Sequence, residues 1–184
     1  MTKGLVDAIA KITPQPIKYV VIASDHGDHT AGNAMLPAAV TYIIHPTSKA
    51  ILDRQSAAPN ARPDTWKQPA AAELVSDRRT IAMGGEEFQI LLLGRAHTGG
   101  DAFVVFPALR VLHAGDAFHT RDLPIMDKNN GGSGVEFSAT LVKAGGLKNI
   151  DMIINGHNAT TTTMADMKKK SGLVADFVKV VQDA

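Results

Sequence analysis

Four short hydrophobic runs in this 184-residue chain each end in a small-residue turn that carries histidine or aspartate. This repeated arrangement constrains the fold more than any other feature. Ile17 to Ala23 runs into Ser24-Asp25-His26-Gly27-Asp28-His29, and Phe88 to Leu93 leads to His97. The run ending near His113 leads to Asp116, and Ile153-Ile154 leads to His157. Apolar, β-branched runs of this length read as buried strands. In sheets alternating with helices, ligands and catalytic groups collect just past the C-terminal ends of strands. Glycines 27, 94, 99, 115 and 156 allow the close backbone approach that such turns need.

Helical segments separate several of these runs. Leu5, Val6, Ile9 and Ile12 have helical spacing, closed by Thr13-Pro14. A short helix is expected from Thr30 to Leu36, and another over Ser48 to Arg54 with Thr47 as its cap. Glu136 to Ala144 reads as a helix stopped by Gly145-Gly146, and Leu173 to Val181 as a closing helix with apolar residues at 173, 174, 177, 178 and 181. Further strands are expected at Val40 to Ile44, Glu87 to Leu93, Ala102 to Phe106, Leu109 to His113 and Asp151 to Ile154, with a hairpin at Pro107-Ala108. The stretch 55–70 reads as an irregular excursion holding the lone Trp66, and 73–83 fits either helix or strand. The alternation gives the α/β class, and the length fits one domain over 1–184.

Composition narrows the chemistry. The chain has no cysteine, which excludes a disulfide scaffold, a thiolate metal site and a cysteine nucleophile. Any metal would be held by imidazole and carboxylate, and there are seven histidines. A net charge of +1 gives no electrostatic case for nucleic acid. No apolar run reaches about 18 residues and the start does not read as a signal peptide, so no membrane association and a cytoplasmic location are expected.

Taken singly, each polar residue also has a plain reading. Asp28 fits a helix cap, His97 a surface loop, Asp116 a turn and His157 a satisfied buried histidine. His45 fits a turn residue, His113 a strand residue and His119 a loop group. Trp66 and Phe118 fit either core positions or an apolar pocket wall. The long loop from His119 to Gly134 fits either a plain connection or a pocket-shaping segment in which Arg121 meets an anionic substrate group.

Taken together the motifs resemble the metallo-beta-lactamase superfamily. Ser24-Asp25-His26-Gly27-Asp28-His29-Thr30 is similar to its His-x-His-x-Asp-His turn, and Gly94-Arg95-Ala96-His97-Thr98-Gly99 to its second motif. His113-Ala114-Gly115-Asp116 and Asn155-Gly156-His157 match the later ones. The resemblance implies an αββα sandwich, N-terminally shortened, and a centre for one or two zinc ions, with iron or manganese as chemical alternatives. Carried over, His26, His97 and Asp116 would form a first half lacking one ligand, because Ser24 stands where the family has histidine. Asp28, His29, Asp116 and His157 would form a complete second half, the better candidate for occupancy. Asp25 is a carboxylate that could complete the first. The implied activity is hydrolysis of an ester, amide, lactam or related bond in a small-molecule substrate, with Asp28 also orienting the attacking water. The alternative is a residual metal-binding relative without turnover. A shortened front would leave an open sheet edge, and a homodimer covering it is expected.

Overall fold

Period-two alternation along the strands decides the layering. The computed structural model describes residues 2–58, 68, 71–118 and 124–184. Three strands, β1 (Tyr19–Val21), β2 (Thr41–Ile44) and β3 (Glu73–Leu74), form a parallel sheet in the order β1-β2-β3. Five more, β4 (Arg78–Met83), β5 (Glu86–Leu91), β6 (Phe103–Phe106), β7 (Val111–Gly115) and β8 (Met152–Asn155), form a second sheet in sequence order. Its pairs are antiparallel as far as β7, and β7 pairs parallel with β8.

On β2, Tyr42 and Ile44 pack with Ile22 and Leu52, while Ile43 between them packs with Val75 beside β3 and with Ile81, Ile90 and Val104 from the facing sheet. On β6, Val104 faces that middle layer, whereas Phe103 and Val105 join Leu112, Phe137, Leu141, Ile153 and Met167. Helix α3 (Pro46–Ser56) supplies Leu52 to one outer layer, and α4 (Gly134–Gly145) and α5 (Met164–Gln182) close the other. The order is therefore helix, sheet, sheet, helix, as the αββα expectation required. Full burial of side chains such as Phe103, Leu112 and Leu141 contributes about 1.5–3 kcal/mol each.

Several local expectations change. Helix α3 is capped by His45, not Thr47: the His45 Nδ1 accepts a hydrogen bond from the Thr47 amide at 3.1 Å, and Pro46 opens the helix. The helix expected over Thr30 to Leu36 is instead one turn, α2 (Gly27–Thr30), followed by a 3-10 turn at Asn33–Met35. Residues 73–83 form β3 and β4. Helix α5 starts at Met164, nine residues before the expected start, because Thr163 and Asp166 form a reciprocal capping box. Of its apolar stripe Val174 is buried and Val178 packs against the core, while Leu173, Phe177 and Val181 remain exposed.

Helix α1 (Thr2–Ile12) forms as expected but buries none of its residues. Beside outer strand β1 an apolar groove of about 810 Å³ opens, lined by Tyr19, Val21, Phe88, Val104, Phe106 and Leu109. Among the described residues no helix is long and apolar enough to cross a membrane. Trp66, His119 and Arg121 lie outside the described residues.

Candidate metal centre

Strand ends from both sheets supply the polar cluster. After β1 the chain passes through buried Ser24 and Asp25 to His26, which caps α2, and the amides of His29 and Thr30 both donate to the His26 carbonyl at 3.1 Å. That single turn presents Asp28 and His29 next to each other. The Ala102 amide donates to the Ala23 carbonyl at 3.1 Å, which ties the end of β1 to the loop carrying His97.

Parallel pairing of β7 and β8 places the other two groups. Gly115 is in register with Asn155, and the Gly156 amide donates to the Gly115 carbonyl at 2.9 Å, so Asp116 and His157 leave neighbouring strand ends together. The strand register shifts between His113 and Gly115, and Gly115 has φ +50°, a bend that turns Asp116 inward. His157 itself has φ +53°, a left-handed backbone that costs a non-glycine residue about 1–3 kcal/mol. Gly156 allows the close fit: a Cβ there would lie 2.0 Å from Asp116 Oδ1.

The ligand atoms of Asp28, His29 and His157 all lie within 4.8 Å of one another. His29 Nε2 is 3.5 Å from Asp28 Oδ2, and His157 Nε2 is 3.2 Å from the same oxygen. Asp116 Oδ2 is 3.4 Å from His157 Nε2 and hydrogen-bonded to His29 Nε2 at 2.8 Å. Ligand atoms of a tetrahedral zinc with bonds of about 2.0–2.1 Å stand roughly 3.3–3.4 Å apart. The spacings of 3.2, 3.4 and 3.5 Å bracket that value, and the shorter His29–Asp116 contact needs only a small opening. Imidazole nitrogen and carboxylate oxygen are donors that zinc, iron and manganese all accept. These four residues fit a divalent ion.

The other half is less complete. His26 Nδ1 lies 3.3 Å from His97 Nε2, and His97 Nε2 is 3.6 Å from Asp116 Oδ2. Ser24 Oγ accepts the His26 amide at 3.4 Å. Asp25 faces elsewhere: its oxygens accept from Ser48 Oγ and Asn130 Nδ2, each at 2.9 Å, so it does not supply the spare carboxylate considered above. Asp127 does approach, with Oδ2 2.9 Å from His26 Nε2. Sequence reading missed it, because nothing but its acidity marks it within a long loop.

Charge follows the geometry. Burial pushes the Asp116 carboxyl up, but the His29 hydrogen bond and the neighbouring His29, His97 and His157 outweigh it and hold it at about 2. His29 moves up chiefly through its hydrogen bond to Asp116, against the opposing effect of burial. Burial is the largest influence on Asp25, raising it despite the bonds from Ser48 and Asn130.

All six ligand candidates, His26, Asp28, His29, His97, Asp116 and His157, thus meet at one place. A cleft of about 280 Å³ opens beside them, lined by His26, Asp28, His97, Asp116, Ile125 and His157. Phe118 does not line it. The 3-10 turn Asp116–Phe118 directs that ring into the core with Phe137, where it is 3% exposed. His45 caps α3, and His113 lines the apolar groove, its pKa lowered mainly by burial.

A profile of the metallo-beta-lactamase superfamily matches residues 4–169. A metallo-beta-lactamase from Pontibacter korlensis superposes with a TM-score of 0.75 at 15% identity, covering 94% of this chain and 76% of that one. The DIM-1 metallo-beta-lactamase superposes with a TM-score of 0.74 at 19% identity, covering 95% and 76%. At these identities the likeness is one of fold. In sequence, the chain is 25% identical over 107 residues to the 2,4-dinitroanisole O-demethylase subunit alpha of Nocardioides sp. (strain JS1661). That match covers 58% of this chain and 30% of the relative's length.

Proposed function

Since the chain belongs to the metallo-beta-lactamase superfamily, we propose that it is a metal-dependent hydrolase of a small-molecule substrate. The observation that carries this reading is the convergence of Asp28, His29, Asp116 and His157 at ligand-to-ligand spacings suited to a divalent ion. These four would hold the better-bound ion, and His26 and His97, with Asp116 shared, a weaker one. Zinc suits the donor set, and iron or manganese would also be accommodated.

Bound there with a fifth position left to water, a divalent ion would supply Lewis-acid polarisation of a carbonyl or phosphoryl oxygen and a water acidic enough to act near neutral pH. The chain's own groups do the rest. The Asp28 side chain is 58% exposed at the cleft and carries the carboxylate that would orient the attacking water and take up its proton. Asp116, buried and held at about 2, stays anionic at neutral pH and keeps its charge at the centre of the cluster. His26, His97 and Ile125 line the same cleft as Asp28 and His157. The reacting bond belongs to an ester, amide, lactam or related group. The name of the Nocardioides relative adds a methyl aryl ether to the bonds worth assaying.

The experiment is turnover of a lactam, a simple ester and a methyl aryl ether by the zinc-loaded chain, with a chelated control. Chelator-sensitive hydrolysis of any one supports the reading. Stoichiometric zinc with no hydrolysis of all three favours the second reading, a metal-binding protein without turnover, for which the ligand gap at Ser24 is the supporting observation.

The proposal includes a homodimer closed over the groove beside β1. Lys11 on exposed, amphipathic α1 is opposite in sign to Glu86 and Glu87 on the groove's lining, whereas Lys3 pairs with Asp7 at 2.7 Å. A solution mass near twice 19.5 kDa is expected, and a well-behaved monomer contradicts it.

A further inference from the structure

The buried half of the centre is short of one ligand, yet its two histidines are held from behind by a single stretch of loop. His97 Nδ1 lies 2.9 Å from the Ile125 carbonyl, and His26 Nε2 lies 2.9 Å from Asp127 Oδ2. A carbonyl oxygen and an ionised carboxylate only accept hydrogen bonds. Each neutral imidazole carries one proton, so these contacts place it on His97 Nδ1 and on His26 Nε2. The bare nitrogens left over, His26 Nδ1 and His97 Nε2, face each other across 3.3 Å. Two lone pairs at that distance repel unless a positive charge sits between or beside them. His97 Nε2 also faces the Asp116 carboxylate at 3.6 Å, an acceptor that cannot donate to it.

The orienting groups are themselves fixed. Asp127 Oδ1 accepts from the Asn129 and Asn130 amides at 2.9 and 3.2 Å, which leaves Oδ2 for His26. The Asp127 amide donates to the His97 carbonyl at 2.8 Å, and the Gly99 amide donates to the Asn130 carbonyl at 2.8 Å. These bonds tie residues 127–130 to the segment that carries His97.

Resting on the metal-centre reading above, we infer that Asp127 is a positioning residue. It holds His26 as the Nε2–H tautomer with Nδ1 bare, so that His26, His97 and Asp116 take up a second divalent cation although Ser24 supplies no imidazole. Outer carboxylates that fix a ligating histidine in this way are typically worth about 10- to 100-fold in metal affinity. The carboxylate acts through His26 and need not touch the ion.

The test uses the full chain and zinc alone. Hydrogen–nitrogen correlation spectra at about pH 8, above the ordinary imidazole range, should show the His26 ring proton on Nε2 in both metal-free and zinc-loaded protein. In zinc titrations Asp127→Ala should weaken the second ion by about 10- to 100-fold and leave the first within about twofold. Asp127→Asn, which keeps one acceptor oxygen, should fall between. A His26 proton on Nδ1 in the unsubstituted, metal-free protein overturns the inference without any variant. Equal weakening of both ions, or of neither, by Asp127→Ala also overturns it. Zinc binding absent altogether overturns the metal-centre reading and this inference with it.

Discussion

The two halves of the centre share Asp116 and are built in opposite ways. One is made of Asp28, His29 and His157, whose side chains are 58, 30 and 51% exposed and come directly off α2 and the end of β8. Short turns after strands suffice to bring their donor atoms together. The other is made of His26 and His97, whose side chains are 27 and 3% exposed, so that only His97 is buried, and it lacks a donor at Ser24. There the remaining donors are aimed by groups behind them, Asp127 and the Ile125 carbonyl. A complete ligand set needs only strand ends to assemble it, whereas an incomplete one depends on hydrogen bonds from a distant loop.

The largest effect that separates the halves is expected from His157→Ala. Removing a direct ligand from the open half should weaken the tighter ion by more than about 100-fold, beyond the range of an outer-sphere loss, as read by zinc titration. An unchanged tight ion would place that ion in the buried half. Gly156→Ala should blur the distinction. Its Cβ would meet Asp116 Oδ1, which is buried in the shared residue and cannot yield without leaving His29. Both ions should weaken, by about 10- to 100-fold, and a change in only one would show that Asp116 is not shared.

Ser24→His should act on the buried half alone, tightening its ion by about tenfold if the added imidazole reaches it. Tightening of both ions would contradict a local gap at this position. The smallest effect concerns Asp101, which accepts from the Thr98 amide and hydroxyl and so fixes the turn next to His97. Burial pushes its carboxyl up from 3.8 to about 7, against the Thr98 bonds and with further push from Asp25 and Asp116. A raised acid favours folding while protonated. Its contribution is therefore present below about pH 4 and lost as pH rises through about 7. The Tm of metal-free protein should fall by a few degrees across that window on this account, and Asp101→Asn should flatten the slope. Identical slopes would show that Asp101 is not the titrating group.

The layered fold and the convergence of six candidate ligands were legible because both depend on local pattern. Alternating apolar residues at Tyr42, Ile43 and Ile44, or at Phe103, Val104 and Val105, dictate which face each side chain takes. The motif turns then follow the strand ends. What was not legible depended on long-range partners. Asp25 and Asp127 are both aspartates in loops near the centre, and only the fold decides that Asp25 bonds Ser48 and Asn130 while Asp127 reaches His26 across 101 residues. Phe118 follows Asp116 by two residues, yet the turn sends it to the core. The α5 stripe failed for a related reason: helical spacing names a face, but packing against the core decides that Val174 is covered and Phe177 is not.

The most direct measurement is a zinc titration of the metal-free full chain, followed by metal analysis after exhaustive washing. Two unequal classes are expected, one ion retained on washing and lost in His157→Ala, and one weaker ion removed by washing. Zinc content near zero in both the unsubstituted chain and His157→Ala would contradict a metal centre at these residues.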